Sequence, residues 1–326
     1  MKVLVIGGAG YIGSHAVRLL NRSGHDATVL DSLVLGHAEA VPAASLTVGD
    51  LSSVDFLTEL LVRDSIEAVM HFAAFASVPE SVIEPAKYYE NNLIGTIHLL
   101  EAMRRTGVSR LVFSSTCATY GIPESVPITE ETAQRPINPY GFTKLACERA
   151  MADYSRAYGL GFVALRYFNA SGAAEDGSIG EDHDPETHLI PIALQAALGK
   201  RDHIAIYGND YPTPDGTCIR DYIHVDDLAE AHRLTLERIE PGAGRYYNVG
   251  TGRGFSVREV IESARRVTGR PIPAVEKPRR PGDPPALVAA ADLLRRNTGW
   301  APRYTEIDAI VASAWRWHSN HPEGYA

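Results

Sequence analysis

A tyrosine and a lysine stand four residues apart in the stretch NPYGFTK at positions 138–144. Pro139 suits the first position of a helix, so Tyr140 and Lys144 would lie on one face of its first turns. An ammonium group close to a phenol favours the phenolate and lowers the tyrosine pKa from about 10 towards neutrality, which would make Tyr140 a usable base. On spacing alone the pair also fits an ordinary surface helix, so the rest of the sequence has to decide.

A glycine-rich segment near the N-terminus predicts a dinucleotide site. In VLVIGGAGYIGSH, Gly7, Gly10 and Gly13 directly follow an apolar run and open a helical pattern. Glycines at this spacing let the backbone approach a pyrophosphate at the helix N-terminus. Asp31 ends the second apolar run, about 20 residues further on, where an acid binds the adenosine ribose. Because a carboxylate repels a 2′-phosphate, the pattern favours NAD over NADP, and a tight turn without ligand is the weaker alternative.

The segments that must position these residues predict a Rossmann-type doubly wound α/β fold. From residue 2 to about 166, uniformly apolar strands alternate with helical patterns, which indicates a parallel sheet covered on both faces. The strands are predicted at 2–6, 27–31, 45–50, 67–73, 110–115 and 161–168, and the helices at 12–23, 54–64, 85–106 and 139–158.

The second half is richer in glycine and proline and predicts a smaller C-terminal substrate-binding α/β domain. We expect an NAD-binding domain at residues 1–169 and a substrate-binding domain at 170–326. The boundary is soft, because strands near 218–223 and 245–249 could return to the first sheet. Helices are expected near 225–239 and 256–268, the latter opened by the capping box of Ser256 and Glu259.

Composition excludes several classes of protein. The net charge of −9 over 326 residues argues against a nucleic-acid surface. No apolar run reaches the roughly 18–20 residues that span a bilayer, and the first ten residues are too soon broken by glycine for a signal peptide. Three widely spaced cysteines predict that the protein resides in a reducing cytoplasm.

The sequence DHDPETH at 182–188 contains histidines and acids but no defined ligand spacing, so we predict no metal there and a substrate-covering loop instead.

These motifs together resemble the extended short-chain dehydrogenase/reductase family. The glycine loop, the SST at 114–116 and the Tyr140/Lys144 pair carry the resemblance in the first half. The segments GEDHDPETHLIP, YGNDYPTPDGTCIRDYIHV, YYNVGTG and RRPGD extend it through the second half and are typical of the nucleotide-sugar epimerases of that family.

The resemblance implies that NAD stays bound while C4 of a hexose is oxidised to a 4-keto sugar and reduced from its other face, so that UDP-glucose and UDP-galactose interconvert. Tyr140 is then the base, Lys144 tunes it and holds the nicotinamide ribose, and Thr116 hydrogen-bonds the 4-hydroxyl. A homodimer is also implied, built on helices 85–106 and 139–158 through outer faces that include Leu93, Leu100, Ala146 and Ala150.

The same resemblance implies the binding residues. On the cofactor side, besides the glycines, Asp31, Tyr140 and Lys144, they are Tyr11, Ile12, Ser32, Gly36, Asp50, Leu51, Phe72, Ala73, Ala74, Asn91 and Phe168. On the substrate side, besides Thr116 and Tyr140, they are Asn169, His188, Leu189, Tyr207, Arg220, Arg280, Asp283 and Leu287. Two arginines suit a diphosphate. Leu287 matches the position that limits the C2 substituent of the sugar, which predicts a preference for sugars without an N-acetyl group.

Three other functions compete with this interpretation. A 4,6-dehydratase uses an Asp-Glu pair directly after the threonine, where this chain has Cys117 and Ala118. A uronate epimerase or decarboxylase remains open, although RRPGD fits a hexose epimerase better. A regulator that senses NAD without chemistry commonly lacks the Tyr/Lys pair, which is intact here.

Overall fold

A parallel sheet of seven strands forms the centre of the computed structural model, which describes residues 1–280 and 282–325. The strands of the chain are β1 (Lys2–Ile6), β2 (Asp26–Asp31), β3 (Leu46–Val48), β4 (Ala68–His71), β5 (Arg110–Thr116), β6 (Gly161–Tyr167), β7 (Asn169–Ser171), β8 (Ile204–Tyr207), β9 (Ile219–His224), β10 (Gly244–Val249), β11 (Gly254–Ser256), β12 (Ala274–Lys277) and β13 (Ala286–Leu287). Pro281 of the RRPGD motif lies outside the described residues.

Helices cover both faces of this sheet and continue into the second half. They are α1 (Tyr11–Arg22), α2 (Val54–Arg63), α3 (Val78–Ile83), α4 (Pro85–Tyr88), α5 (Gly95–Thr106), α6 (Pro139–Tyr158), α7 (Leu189–Ala197), α8 (Val225–Leu236), α9 (Val257–Thr268), α10 (Asp292–Thr298) and α11 (Ile307–Asn320). A π-helical turn at Tyr89–Ile94 joins α4 to α5, so the helix predicted at 85–106 is one continuous rod with a widened turn. Short 3₁₀ turns lie at 38–40, 43–45 and 117–120.

The strand order is β10-β6-β5-β4-β1-β2-β3 and every pairing is parallel. The predicted Rossmann-type doubly wound fold is therefore confirmed. Chain order reverses between β1 and β4, and in such sheets ligands bind in the crevice at the carboxyl ends of the strands on either side of this reversal. The glycine loop follows β1 and Thr116 ends β5, so both lie at that edge.

The second half forms smaller sheets beside the large one. Strand β9 pairs with β7, β11 and β13, and β8 pairs with β12. Strand β10 instead extends the large sheet beside β6. The chain therefore contributes to the first sheet well after residue 169, and the division into 1–169 and 170–326 stays a prediction.

Apolar side chains fill separate cores on the two faces of the large sheet. One core packs α1 and α8 against β1 and β6, and the other packs α2, α5 and α6 against the opposite face. Leu100, expected on an outer helix face, is buried in the second core, because the helical turn at this point directs it towards the sheet. Among the described residues no helix is both long and apolar enough to cross a membrane.

Candidate active site

The glycine loop between β1 and α1 is shaped for close approach of a ligand. Gly7 has φ +75°, and a Cβ there would lie 2.5 Å from the Ala73 backbone nitrogen. A Cβ at Gly13 would overlap the Gly7 carbonyl oxygen. Gly10 caps α1 without a side-chain hydrogen bond, and no acid occupies the first turn. The helix N-terminus therefore presents backbone N–H groups and a positive dipole to the crevice, which fits a pyrophosphate.

Asp31 closes the glycine loop from the end of β2. Its carboxylate accepts hydrogen bonds from the backbone N–H of Ala9 and of Leu33, both at 2.9 Å. A Cβ at Gly36 would lie 2.8 Å from Asp31 Oδ1, so the chain passes close to this carboxylate. An acid placed beside the loop that cradles a pyrophosphate is the arrangement that binds an adenosine ribose. These residues fit NAD.

The other residues predicted on the cofactor side follow the carboxyl ends of the same sheet. Ser32 and Gly36 follow β2, Asp50 and Leu51 follow β3, Phe72, Ala73 and Ala74 follow β4, and Phe168 follows β6, while Tyr11 and Ile12 begin α1.

The π-helical turn carries Asn91, which the sequence singled out, and its neighbour Asn92, which it did not. The Asn92 amide is buried and pairs with both backbone groups of Phe75, at 3.0 Å and 2.9 Å, so it fixes the loop after β4. The Asn91 amide donates to Asn92 Oδ1 at 2.9 Å. The repeated asparagine in YYENN was the only sequence signal for this role.

The predicted catalytic residues meet at the end of β5. Helix α6 begins at Pro139, with Asn138 accepting a hydrogen bond from Gly141 N–H at its N-terminus, so Tyr140 and Lys144 share its inner face. Lys144 is buried and its ammonium donates to the Ser114 carbonyl oxygen at 2.8 Å. Thr116 is also buried, and its side chain contacts Tyr140. The group is placed to handle a hydroxyl proton.

The expected low pKa of Tyr140 is not what the structure gives. Burial raises the pKa of Tyr140 to about 12, although contact with the Thr116 side chain offsets part of this rise. Burial lowers the pKa of Lys144 to about 8. Spacing alone suggested that the ammonium would dominate, but desolvation acts on both groups and the Lys144 ammonium is directed to a strand carbonyl. The chain by itself therefore holds Tyr140 protonated at neutral pH.

A buried ion pair holds the helix that carries Tyr140. Glu148 lies two turns beyond Tyr140 on the same face and pairs with Arg166 of β6, with contacts of 2.6 Å and 2.9 Å. Ser115 Oγ donates to the same carboxylate at 2.6 Å, and Arg166 donates to the Tyr120 hydroxyl at 2.9 Å. The sequence analysis missed this network, although the spacing of Tyr140, Lys144 and Glu148 was its signal.

Most residues predicted for the substrate gather around β8, β9 and β13. The Arg280 guanidinium lies over the Tyr207 ring, 3.9 Å from its centre. Arg220 donates to Asp283 Oδ1 at 3.1 Å and to the Pro284 carbonyl oxygen at 2.9 Å. Leu287 is the register partner of Arg220, while Asn169 begins β7 and Leu189 begins α7. The structure thus brings both arginines, the acid and Leu287 to one region of the second half.

His188 differs from the other predicted substrate residues in its surroundings. Its Nδ1 lies 3.0 Å from Glu186 Oε1 and 2.9 Å from Glu181 Oε1. His183 points to the same two glutamates. Burial lowers the pKa of His183, but the two carboxylates outweigh it and raise that pKa to about 9. The sequence predicted no metal here, yet the structure brings four potential ligands together, two imidazoles and two carboxylates.

The parallel sheet carries a glycine-lined pyrophosphate cradle, an acid at the ribose position, and a Tyr-Lys-Thr group at the end of β5. Together these features define a nicotinamide-dependent enzyme. The model of the NAD dependent epimerase/dehydratase family matches residues 3–250. The chain belongs to this family, and the class inferred from its motifs is confirmed.

Individual relatives match over the full chain. The UDP-glucose 4-epimerase of Lacticaseibacillus casei is 53% identical over 327 residues, which cover 100% of this chain and 99% of that protein. The crystal structure of UDP-glucose 4-epimerase from Brucella ovis in complex with NAD is 52% identical, with a TM-score of 0.93 over 96% of this chain and 97% of that one. The enzyme from Bifidobacterium longum, in complex with NAD⁺ and UDP, is 38% identical, with a TM-score of 0.94 over 99% of this chain and 100% of that one.

Proposed function

We propose that this chain interconverts UDP-glucose and UDP-galactose with bound NAD, by transient oxidation at C4 of the sugar. The observation that carries the proposal is the meeting of Tyr140, Thr116 and Lys144 at the sheet edge where the glycine loop also ends. The relatives named above as UDP-glucose 4-epimerases, two of them solved with NAD, support the choice of reaction.

Each residue of the group has a defined task in this reaction. Tyr140 takes the proton of the sugar 4-hydroxyl and returns it after the sugar has turned its other face. Thr116 hydrogen-bonds the same oxygen and keeps it against the phenol. Lys144 would hold the nicotinamide ribose, and its positive charge one helical turn from Tyr140 would favour the phenolate once NAD⁺ is bound. When bound, NAD⁺ would serve as acceptor and donor of the C4 hydride, and its positive ring would offset part of the rise that burial causes in the pKa of Tyr140.

The second half holds the nucleotide. Arg220 and Arg280 are the cations expected to meet the diphosphate, because a guanidinium matches phosphate oxygens in pairs. Asp283, now paired with Arg220, is placed to accept a hydrogen bond from the uridine ribose. Tyr207 lies under Arg280 and offers a flat ring beside it. Asn169 and Leu189 complete the proposed contacts. We leave His188 out of this set, because its imidazole faces Glu181 and Glu186.

An assay of the purified protein tests the proposal. With UDP-galactose and no added NAD, UDP-glucose should appear, and denaturation should release NAD. Tyr140→Phe should keep the NAD and lose turnover by about 10²–10⁴-fold, the usual contribution of a positioned base. Tyr158→Phe is the matched control, because this tyrosine is exposed at the other end of α6. Turnover like that of wild type in Tyr140→Phe would refute the mechanism.

We also propose a homodimer built on α6 and the helical rod from Pro85 to Thr106. Tyr89 and Phe142 are exposed on these neighbouring helices, with ring centres 6.1 Å apart, and Ile94 is exposed nearby. Leu93, Ala146 and Ala150 are only partly covered, so they can still contribute. Light scattering should give twice the chain mass of 35.4 kDa at micromolar concentration, whereas a single chain mass would reject the dimer.

We further propose that the enzyme works in the cytoplasm. All three cysteines, Cys117, Cys147 and Cys218, are free thiols, as proteins of reducing compartments usually have them. Fractionation of cells that produce the native chain should recover the activity with cytoplasmic marker enzymes.

A further inference from the structure

Four potential metal ligands converge in the segment that precedes α7. They are Glu181, His183, Glu186 and His188, and one ligand atom of each lies within 4.8 Å of the ligand atoms of all the others. His188 Nδ1 lies 2.9 Å from Glu181 Oε1 and 3.0 Å from Glu186 Oε1. His183 Nδ1 lies 3.3 Å from Glu181 Oε1 and 3.8 Å from Glu186 Oε2. In each of these four contacts an imidazole nitrogen faces a carboxylate oxygen.

The buried negative charges of this cluster favour a bound cation. The side chains of Glu181 and Glu186 are 3% and 2% exposed, respectively. Within residues 1–280 and 282–325, the only ion-pair partners of these two carboxylates are His183 and His188, and no lysine or arginine side chain pairs with them. Two buried carboxylates side by side are costly unless positive charge lies between them.

One ligand atom is also left without a hydrogen bond. His183 Nδ1 is buried, and in the described part of the chain it has no hydrogen-bond partner, although Glu181 Oε1 is only 3.3 Å away. A nitrogen and an oxygen that face each other without sharing a proton are what a metal centre requires, since both then direct lone pairs at the ion.

We propose that Glu181, His183, Glu186 and His188 bind a divalent transition-metal ion, with Zn²⁺ the best fit. Zinc takes imidazole nitrogen and carboxylate oxygen at about 2.0–2.2 Å in a tetrahedron, whose edges are then about 3.3 Å. The distances of 2.9 Å, 3.0 Å and 3.3 Å between imidazole nitrogens and carboxylate oxygens lie close to that value, and the contact of 3.8 Å joins His183 Nδ1 to the second oxygen of Glu186. Because the protein supplies all four ligands, the site is of the closed, structural kind and leaves no position for a reacting water.

The position of the site indicates which segment of the chain the ion would stabilise. The His183 ring packs edge-on against the Tyr11 ring, with centres 6.4 Å apart, and Tyr11 begins α1 directly after the glycine loop. The Tyr11 hydroxyl donates to the Gly172 carbonyl oxygen at 2.6 Å, at the start of the same segment. A metal ion at its far end would therefore fix the segment 172–188 against the proposed dinucleotide cradle. This inference does not depend on which sugar the enzyme uses.

Metal analysis and melting curves of the purified full-length protein test the site. Protein prepared in zinc-containing medium and passed through gel filtration should hold about one zinc per chain. After chelation, addition of one equivalent of Zn²⁺ should raise the melting temperature by at least about 3 °C. Glu181→Gln and His188→Gln should each lose the zinc and the rise. Because His188 is exposed, its substitution should not disturb folding.

Asp184→Asn is the matched control, since Asp184 is an exposed acid of the same loop that is not among the four ligands. It should keep both the zinc and the melting response. A wild-type protein that binds no zinc and shows no melting shift would overturn the proposal, with protonated histidines then neutralising the glutamates. Equal zinc content in wild type and both ligand variants would place the metal elsewhere and overturn it as well.

Discussion

We propose that Leu287 limits the space available at C2 of the sugar. It packs in a small apolar cluster with Tyr120, Ile128 and Phe168, and Cys117, the residue after Thr116, packs against the same cluster. An acetamido group at C2 of the sugar would have to displace this side chain, which commonly costs about 1–3 kcal/mol.

The variant Leu287→Ser should therefore raise kcat/KM for UDP-N-acetylglucosamine by about 10-fold relative to UDP-glucose, because about 1.4 kcal/mol corresponds to a factor of ten. Leu287→Met preserves the volume and should leave the ratio unchanged. Steady-state rates with both UDP-sugars measure this ratio of kcat/KM values. Equal efficiency of the wild-type protein on both sugars would show that Leu287 is no barrier.

The residue types of the site could be found from the sequence, but their protonation could not. The spacing of Tyr140 and Lys144 predicted one shared helix face, as the structure has it. The pKa of Tyr140 depends on desolvation and on where the Lys144 ammonium points, and both follow from the packing of β5 against α6. Likewise, the stretch DHDPETH shows its histidines and acids but not that their side chains converge. Glu181 lies just outside this stretch, and the loop must fold back to bring the ligands together.

At the scale of the elements, two glycines of the turn from β1 to α1 are needed for different reasons, Gly13 for folding and Gly10 for binding the cofactor. A Cβ at Gly13 would overlap the Gly7 carbonyl oxygen, whereas a Cβ at Gly10 would meet only that oxygen, at 3.4 Å. Gly13→Ala should therefore lower both the melting temperature and the NAD content, since overpacking costs about 1–3 kcal/mol.

Gly10→Ala, the matched control, should keep the melting temperature of the cofactor-free protein and still lose NAD, because its methyl group would occupy the cradle. Thermal melts of the cofactor-free protein and quantification of the released nucleotide distinguish the two effects. A full complement of NAD in Gly10→Ala would contradict the placement of the pyrophosphate at this turn.

Helix α6 depends on its buried ion pair for a fixed position. Glu148→Gln would leave the Arg166 guanidinium buried beside a neutral amide, and loss of one partner of a buried pair typically costs about 3–5 kcal/mol. We expect a lower free energy of unfolding by roughly that amount in urea. Glu101→Gln, on the surface of α5 beside Arg104 and Arg105, is the control and should change little. Equal effects of the two substitutions would show that burial is not what makes the Glu148 pair matter.

The long elements could be predicted from the sequence, whereas the short ones could not. Strands β1, β2, β4, β5 and β6 and helix α6 have strong apolar or capping patterns and lie where these patterns indicated. Strand β12 has four exposed residues, and β13 has only two. Such strands exist because a distant strand offers them hydrogen bonds, as β8 does for β12 and β9 for β13, and no local pattern records that partner.

At the scale of the whole molecule, buried histidines make the stability sensitive to acid. Burial lowers the pKa of His71 to about 3 and that of His224 and His232 to about 4. The unfolded chain takes up these protons below about pH 6.5, but the folded chain does not, so the free energy of unfolding falls as the pH drops from about 6.5 to 4.

We therefore expect the melting temperature to fall between pH 6.5 and pH 5. His232→Leu should reduce the slope, because this fully buried imidazole packs against Phe72 and Tyr167 and would no longer bind a proton in the unfolded chain. The exposed His203→Leu should leave the slope unchanged. Melting curves at half-unit pH intervals measure it, and an unchanged slope in His232→Leu would count against this explanation.

The fate of the hydrogen at C4 tests the proposed reaction most directly. UDP-galactose labelled with deuterium at C4 is converted in ordinary water, and the position of the label in the UDP-glucose formed is read by NMR. Transient oxidation in a site that Tyr140, Thr116 and Lys144 enclose predicts that the deuterium stays at C4, because the hydride returns to the carbon it left. Replacement of the deuterium by hydrogen from water would mean that C4 is deprotonated instead of oxidised, and would contradict the account.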